Sequence, residues 1–327
     1  MSKARLLKRL KGFTIGSFRY ILLICLSFMI LYPLLRMIAN AIVHLHVIGS
    51  VGAFWIPPIP SFDNFIVAFH VMNFTEVFLF TMANITIVMV LQIVNSALAG
   101  YAFARLKFRG SGILFFFVIL TIVVPMQALF LPQFILFARF DVFGLINLFT
   151  GSPLNLLNQT EAIFIMAALG QGISGGLFIF IFRQFFRGLP KELEEAAYVD
   201  GAGVIRTFLT IVMPMAKPGL LTVGTLSFIW NWNDNFFPTV FNNTDLYMRV
   251  RIANLNRPSP AGTSTMQQAI DFVRYRIPHD TAILTTPVYD ATIANVTNIL
   301  SIVPLIILFL LVQKQFVEGV ERSGIVG

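Results

Sequence analysis

Residues Lys191 to Pro218 read KELEEAAYVDGAGVIRTFLTIVMPMAKP, the longest polar, helix-patterned interruption between the strongly apolar segments of the chain. They include four of its fifteen acidic residues. Charged side chains are costly inside lipid. The stretch therefore lies outside a bilayer, and the apolar segments on either side of it are predicted to span the membrane.

This stretch, with Pro190 before it, is named the motif loop (residues 190–218), and it has the pattern of a short helix, a turn and a second helix that re-enters the membrane. Glu192, Glu194 and Glu195 suit a helix N-terminus, and the two alanines after them favour helix. Gly201 and Gly203 let the chain reverse where a β carbon would be strained. A small helical knob is predicted.

The composition excludes a soluble globular protein. Of 327 residues, 57% are hydrophobic and 12% are charged, and the mean hydropathy is +0.81, whereas about a quarter of the residues in soluble domains are charged. The apolar runs have the length of transmembrane helices, which predicts an all-α polytopic membrane protein. The net charge of +8 follows from basic cytoplasmic loops and needs no nucleic acid. The single cysteine, Cys25, allows no intrachain disulfide.

Six transmembrane helices are predicted, with the N- and C-termini in the cytoplasm and the motif loop between helices 4 and 5. Most basic residues then fall on the cytoplasmic side, as the positive-inside rule requires. The first helix follows the basic residues 1–19 and has no small-residue cleavage site, so it is predicted to be uncleaved. The predicted spans are residues 20–42, 77–103, 113–138, 162–186, 218–236 and 291–312.

Prolines and glycines refine these spans. Pro125 and Pro132 predict a kinked third span, because a proline ring removes a backbone donor. Four glycines predict a smooth side of the fourth span that a neighbouring helix can approach closely: Gly170, Gly172, Gly175 and Gly176. Residues 43–75, with three prolines, predict an external connection with a short surface helix. Residues 140–160 predict a second external connection, and residues 242–290 an external loop insertion.

The motif loop resembles the EAA loop of permease subunits of ATP-binding-cassette (ABC) importers. The resemblance lies in the spacing Glu195-Ala196-Ala197, three residues, Gly201, nine residues, Ile211, one residue, Met213-Pro214, with Met213 where the family usually has leucine. Other stretches resemble the maltose-type carbohydrate permeases of that family. They are residues 100–105 (GYAFAR), 185–190 (FFRGLP), 217–218 (KP) and 230–233 (WNWN). The resemblance runs from about Asn64 to the C-terminus and is weakest in the insertion.

The resemblance implies a role for the knob as a coupling helix that docks into a cleft on a separate ATPase. The implied coupling residues are Glu194, Glu195, Ala196, Ala197, Asp200, Gly201, Ala202 and Pro214. The implied partners are a second homologous permease, two ABC ATPase subunits, an external substrate-binding protein and the lipid bilayer, with no nucleic acid.

The domain prediction is one transmembrane domain, 1–327, with a core permease region at 77–312. The cytoplasmic tail, residues 313–327, also resembles the family, but Val326 stands where the family commonly has lysine. The tail therefore either reaches toward the ATPases or is a frayed end.

The chain carries no motif of an enzyme. It has no G-x-x-x-x-G-K-[ST] loop to cradle ATP phosphates, no H-E-x-x-H and no G-x-S-x-G. No cofactor is therefore expected in this chain, and ATP and Mg²⁺ are expected on the partner ATPases. His44 and His46 stand two residues apart without a nearby cysteine or carboxylate, and they are interpreted as interfacial histidines rather than metal ligands.

Polar and aromatic side chains within the predicted spans are the candidates for a substrate path, since a sugar needs hydrogen-bonding groups and aromatic faces. The candidates are Asn84, Gln127, Trp230, Asn231, Trp232, Asn233 and Asp234. For each of them, hydrogen bonding between helices is the simpler alternative. The same alternative applies to Gln92 and Asn95, which follow Asn84 on the second span.

These features predict a permease subunit of a carbohydrate ABC importer in the cell membrane of a prokaryote, working by alternating access. The alternative from another class is an ion- or proton-coupled secondary transporter, which would be expected to carry ionisable residues deep in its spans. A membrane scaffold would leave the motif loop unexplained. Glycerol phosphate and a peptide-like solute are the alternative substrates.

Overall fold

The computed structural model describes residues 3–44, 47–48, 56–242, 244–255, 271–272 and 286–324, and the side chains of 3–15, 127 and 315–324 fall outside this description. Within these residues the regular structure is helical, and the β-structure amounts to two isolated bridges, Val43 with Pro60 and Phe140 with Leu154. The all-α prediction is confirmed.

The helices whose bounds are described run as follows: α1 (Lys3–Ala41), α2 (Asp63–Val71), α3 (Phe74–Arg105), α4 (Ser111–Val123), α5 (Phe130–Ala138), α6 (Leu145–Thr150), α7 (Glu161–Ala168), α8 (Gly175–Gly188), α9 (Glu192–Val199), α10 (Val204–Thr207), α11 (Met213–Met215), α12 (Lys217–Asn233), α13 (Met248–Asn254) and α14 (Pro287–Gly324). A 3₁₀ turn, Met126–Leu129, precedes α5. Two π-helical turns, Phe208–Val212 and Pro238–Asn242, precede α11 and follow α12.

Among the described residues, three continuous helices are long and apolar enough to cross a bilayer. They are Gly16–Ala41 in α1, the whole of α3, and Pro287–Lys314 in α14. These helices match the first, second and sixth predicted spans. The fifth predicted span is α12, of 17 residues, which carries Pro218 in its first turn, where a missing N–H breaks no helical bond.

The third predicted span is broken rather than kinked. Pro125 has no N–H, so α4 ends at Val123, and Val124 is extended with ψ 119°, the conformation that a following proline favours. Pro132 lies in the first turn of α5, where no helical hydrogen bond is lost. The prediction of a disruption is therefore right at Pro125 and wrong at Pro132.

The fourth predicted span is also two helices, α7 and α8. Between them Gly170 (φ 74°) and Ser174 (φ 55°) are left-handed, a conformation that ends an α-helix. Gly176 does permit a close approach, because a β carbon there would lie 2.7 Å from the Val118 carbonyl oxygen of α4. Close approach is thus found at Gly176, and also at Gly170 and Gly172, where a β carbon would meet the Asn95 and Gln92 side chains of α3. The prediction of a continuous helix through Gly170 is wrong.

The motif loop forms the predicted helix, turn and second helix. Gly201 has φ 81°, which confirms the predicted need for glycine. Gly203 has φ −77° and ψ 165°, a conformation open to any residue, so its predicted special role is wrong. The second helix contains a π-helical turn just before Pro214, whose missing N–H removes a helical bond. It meets α12 at 79° and so does not run straight into the fifth span.

The chain divides into two compact units, residues 1–74 with 255–300 and residues 75–254 with 301–327. The core of the first unit contains Val67 of α2 and Tyr289 and Ile293 of α14. The α2 helix is the one predicted within residues 43–75, but one of its faces is buried in this core. The predicted short surface helix is therefore present, with its other face exposed at Ile66 and Phe69.

In the second unit, α8 supplies an aromatic core against which the motif loop rests. Phe178, Phe182 and Phe186 repeat every four residues on α8 and are fully buried. They belong to one cluster with Tyr101 of α3 and Phe208 of the motif loop. This cluster fixes the end of α3 beside the motif loop.

Candidate functional site

A buried polar cluster binds α9 to the end of α3. One carboxylate oxygen of Glu194 lies 2.8 Å from Arg105 Nε, and the other accepts a 3.0 Å hydrogen bond from the Tyr101 hydroxyl. The Tyr101 and Tyr198 hydroxyls are 3.3 Å apart, and Arg105 Nη2 donates to the Leu189 carbonyl at 2.6 Å. We name Tyr101, Arg105, Glu194 and Tyr198 the α3–α9 cluster.

Burial makes this cluster a strong positional constraint. The side chains of Arg105 and Glu194 are only 6% and 8% exposed. In such an environment, removal of either partner leaves an uncompensated buried charge. The ion pair therefore fixes where α9 lies relative to α3, whatever its net contribution to stability.

The helical period explains which residues of α9 face inward. Glu194, Ala197 and Tyr198 are three and four residues apart, so they share one side of the helix. Glu194 and Ala197 are buried, and the Tyr198 hydroxyl reaches the cluster. Glu192 and Glu195 remain exposed in the first turn, where negative charge is favourable beside the helix N-terminus.

The outward side of the motif loop carries large exposed apolar side chains. Val199, Ile205 and Leu209 are 87%, 76% and 58% exposed. Glu195, one helical turn before Val199 on α9, is exposed as well. Exposed apolar groups beside charged ones are typical of a protein-docking surface, and we name these four residues the docking face.

The eight predicted coupling residues do not share one environment. Glu194 and Ala197 face the interior, and Ala202 is half-buried with its N–H donating to the Ala197 carbonyl. The exposed ones are Glu195, Ala196, Asp200, Gly201 and Pro214. The predicted coupling residues thus fall into two groups, those buried where α9 packs on the rest of the chain and those exposed at its surface.

A second polar cluster joins α3 and α12 to the break between α7 and α8. The Gln92 side-chain oxygen accepts hydrogen bonds from the Ser227 hydroxyl and from the Asn231 amide, the latter at 3.1 Å. The Gln92 amide nitrogen donates to the Ile173 carbonyl at 3.2 Å. Asn95, nearly one turn further along α3, donates to the Ala168 carbonyl at 2.7 Å.

Both carbonyls, those of residues 168 and 173, lie at the break, where regular helical hydrogen bonding is interrupted. In lipid a backbone carbonyl without a hydrogen-bond donor is costly, so a neighbouring side chain must provide the donor. We name Gln92, Asn95, Ser227 and Asn231 the Gln92 cluster. It makes the break in the α7–α8 segment depend on α3.

Three of the predicted path residues line one pocket of the second unit. Asn84, Asn231 and Asp234 lie on its wall with Tyr247, and its apolar part includes Met166. The pocket combines hydrogen-bonding groups with apolar surface, but its cavity volume of about 20 Å³ leaves room for a water molecule and not for a sugar.

Trp230, Trp232 and Asn233 make contacts within the protein. Trp232 is 1% exposed, and its indole N–H donates to the Ser301 carbonyl at 3.0 Å. Trp230 stacks on Phe178 with 5.5 Å between the ring centroids. Asn233 is exposed and donates to a carbonyl of its own helix. Only the Trp232 contact is the hydrogen bond between helices that the alternative expects, while Trp230 makes a ring contact with another helix and Asn233 bonds within α12. A role of these residues in a path stays a prediction.

Sequence reasoning missed several residues that the structure brings into these sites, among them Tyr198 and the three apolar residues of the docking face. Tyr101 and Arg105 stand in the GYAFAR stretch, which was recognised as a motif but given no role. Ser227 lies one helical turn before Asn231 on α12, so helical spacing was a usable signal for it. Tyr247 comes from the predicted insertion, and no sequence signal pointed to it.

Several predictions concern residues outside the description. They are the side chain of Gln127, His46, most of the predicted insertion 242–290, and the end of the tail with Val326. Within the described ranges, no three His, Cys, Asp or Glu side chains lie close enough together to hold a metal ion.

Residues 93–322 match the family model described as binding-protein-dependent transport system inner membrane component. The matched range includes the motif loop, the GYAFAR stretch and the Trp230 to Asn233 stretch. It leaves out only residue 92 of the Gln92 cluster.

Two curated proteins are similar over most of the chain. The arabinooligosaccharides transport system permease protein AraQ of Halalkalibacterium halodurans is 27% identical over 241 residues, 74% of this chain and 70% of that protein. The sn-glycerol-3-phosphate transport system permease protein UgpE of Yersinia pestis is 27% identical over 252 residues, 77% of this chain and 71% of that protein.

A solved structure has the same fold. It is the crystal structure of a bacterial ABC transporter involved in the import of the acidic polysaccharide alginate. One of its chains is 20% identical to this one, with a TM-score of 0.65 over 97% of this chain and 99% of that chain.

Proposed function

The chain belongs to the family of binding-protein-dependent transport system inner membrane components, and on this premise we propose that it is a permease subunit of an ATP-driven carbohydrate importer. The observation that carries the proposal is α9, a short helix held by a buried ion pair beside large exposed apolar side chains. A helix held in this way can transmit a rigid-body displacement between an ATPase and membrane helices.

In the proposed arrangement the chain is one transmembrane domain that crosses the cell membrane of a prokaryote six times. The pairs α4–α5 and α7–α8 are the third and fourth spans. Both termini and the motif loop lie in the cytoplasm, and residues 242–290 lie outside. Lys107 and Arg109 after α3, with Arg187 and Lys191 before α9, support this orientation, because positive charge favours the cytoplasmic side.

The docking face meets one ATPase subunit, while Glu194 stays within the chain. The ATPases bind ATP and Mg²⁺, since this chain has no phosphate-binding loop. A second homologous permease docks on the other ATPase and completes the pathway, and an external binding protein delivers the solute. Glu195, as the exposed acid of the docking face, pairs with a basic group of the ATPase.

The proposed solute is a neutral oligosaccharide, and Asn84, Asn231 and Asp234 are proposed to contact it once the small pocket that they line widens during transport. The relative named for arabinooligosaccharides supports a carbohydrate. A second candidate, sn-glycerol 3-phosphate, is favoured by the similarity to the glycerol-phosphate permease. In the described part of the chain, however, the pocket is lined by a carboxylate and by no lysine or arginine. A carboxylate repels an anionic solute in a medium of low dielectric constant, so the pocket supports the neutral sugar.

The test is uptake by vesicles that contain the whole complex, this chain with its second permease, ATPases and binding protein. We expect ATP-dependent uptake of a labelled neutral oligosaccharide and none of labelled sn-glycerol 3-phosphate. Uptake of sn-glycerol 3-phosphate without uptake of the oligosaccharide would contradict the carbohydrate assignment. Uptake driven by an ion gradient without ATP would contradict the importer itself.

A further inference from the structure

The GYAFAR stretch, residues 100–105, supplies Arg105 to the ion pair named above, and it also carries the other side chain of α3 that holds α9. Tyr101 is 4% exposed, and both its hydroxyl and the Arg105 guanidinium reach the Glu194 carboxylate. A tyrosine and an arginine buried at the end of an apolar helix are costly unless their polar groups are paired. Here the pairing is with Glu194 and Tyr198 of the motif loop and with Leu189 just before it.

The cluster also fixes the chain that leads into α9. Arg105 donates to the Leu189 carbonyl at 2.6 Å, just before the helix begins. One arginine thus contacts both α9 and its entry. This geometry leaves α9 little freedom to swing about residues 189–191 without breaking two contacts of Arg105.

The backbone between α9 and α12 is a poorer route than the α9–α3 contact for transmitting a displacement to the membrane helices. The path from α9 to α12 passes through the left-handed Gly201, a π-helical turn and a bend of 79°. Each of these interrupts a regular helix, and such interruptions absorb displacement. The contact of α9 with α3 has no such interruption.

At its inner end, α3 lies against α8 without room for sliding. A β carbon built on Gly100 would lie 2.7 Å from Cβ of Phe182 and 3.0 Å from the backbone nitrogen of Arg183. Further along, Gln92 and Asn95 bind the carbonyls at the α7–α8 break. Because α3 is a single helix of 32 residues, its two clusters move together.

We propose that Tyr101 and Arg105 are positioning residues that fasten α9 to α3, so that displacement of α9 moves α3 and, through the Gln92 cluster, the break between α7 and α8. The inference rests on the proposed function, because it takes the ATPases as the source of the displacement. It assigns the GYAFAR stretch to the transmission of that displacement.

The first test is Glu194→Gln in the reconstituted complex, with Glu192→Gln as the matched control in the same helix. The glutamine keeps the size of the side chain and removes the charge that Arg105 faces. We expect the ATPases to stay bound and hydrolysis to continue, while the solute transported per ATP falls about tenfold, within the usual range of coupling between sites. The control, whose carboxylate is exposed, is expected to transport like the unmodified complex.

The second test replaces the ion pair by a covalent link. Cys25 is the only cysteine, so Cys25→Ser gives a background without reactive thiols. In that background, the thiols of Tyr101→Cys and Tyr198→Cys are joined by a bifunctional thiol reagent as long as the two tyrosine rings that it replaces, whose hydroxyls meet 3.3 Å apart. We expect the link to restore the yield of transport per ATP in Glu194→Gln, whether or not that variant alone keeps its ATPases.

Three outcomes overturn the inference. They are an unchanged yield in Glu194→Gln, an equal loss in Glu192→Gln, and a cross-link that stops transport or fails to restore it. Each of these leaves the proposed function intact if the unmodified complex transports with ATP. An unmodified complex that binds no ATPase, or imports without ATP, contradicts the proposed function instead.

Discussion

At the scale of single residues, two glycines of the motif loop that look equivalent in sequence differ in conformation. Gly201 is left-handed, with φ 81°, and Gly203 is extended, with φ −77°. A β carbon at either position would meet no atom within 4 Å. Any difference between substitutions at the two positions therefore reports backbone strain alone.

This contrast gives a matched pair of variants. Gly201→Val should cost about 1–2 kcal/mol, the usual penalty for an L-residue in the left-handed region, and should displace the docking face so that less ATPase co-purifies with the permease. Gly203→Val should retain the ATPase normally. The measurement is the ratio of ATPase to permease after affinity purification, and equal retention in both variants would rule out a conformational role for Gly201.

The charge of Glu194 compensates the buried charge of Arg105 and so affects the free energy of unfolding. Glu194→Leu alone leaves Arg105 charged and buried, and it should lower the free energy of unfolding by about 3–5 kcal/mol. The double variant Glu194→Leu with Arg105→Met removes both charges and should recover most of that loss. Unfolding of the detergent-solubilised protein by denaturant measures both, and a double variant less stable than the single one would contradict the paired burial.

At the scale of helices, the break between α7 and α8 depends on amide side chains of α3. Gln92→Leu removes the partner of the Ile173 carbonyl and of the Ser227 hydroxyl, and leaving such groups unpaired costs about 1–3 kcal/mol each. The variant should therefore unfold at a lower temperature and transport poorly. The control for stability is Asn233→Leu, where the lost hydrogen bond is an exposed one within its own helix, and it should melt at the same temperature as the unmodified protein. Equal melting temperatures for the two variants would contradict a supporting role of Gln92.

Sequence patterns predicted the continuous helices well and the broken ones poorly. The apolar run of α3 needs only its length and composition to be recognised as a span. The break at Gly170 was missed because four glycines near each other also suit a close helix contact, and only the partner amides of α3 make the interrupted backbone tolerable. Pro125 carried a local signal, and the break after Val123 follows from it.

The candidate site was predictable in its motif and unpredictable in its contacts. Glu194 and Glu195 are adjacent in sequence and share the same local signals, so only the packing of α9 on α3 shows which one is buried. The pairing of Arg105 with Glu194 joins residues that are far apart along the chain. Such pairings depend on tertiary structure and leave no mark in a single sequence.

At the scale of the whole molecule, the account predicts the side of the membrane on which each segment lies. A reporter fused after Lys107 or inserted at Ala202 should be cytoplasmic, because the basic residues beside both positions favour that side. A reporter inserted at Pro258, within the predicted external insertion, should be outside. Opposite results at Ala202 would place the docking face away from any cytoplasmic ATPase.

The most direct measurement of the central claim, that α9 meets the ATPase, is site-specific photo-crosslinking in the assembled complex. A photoreactive amino acid is placed at Val199, which is 87% exposed beside the motif turn, or at Phe143, which is 100% exposed in the predicted external connection. The account predicts an adduct between the permease and an ATPase subunit from position 199 and none from position 143. An adduct from 143, or none from 199 while the ATPase remains bound, would contradict it.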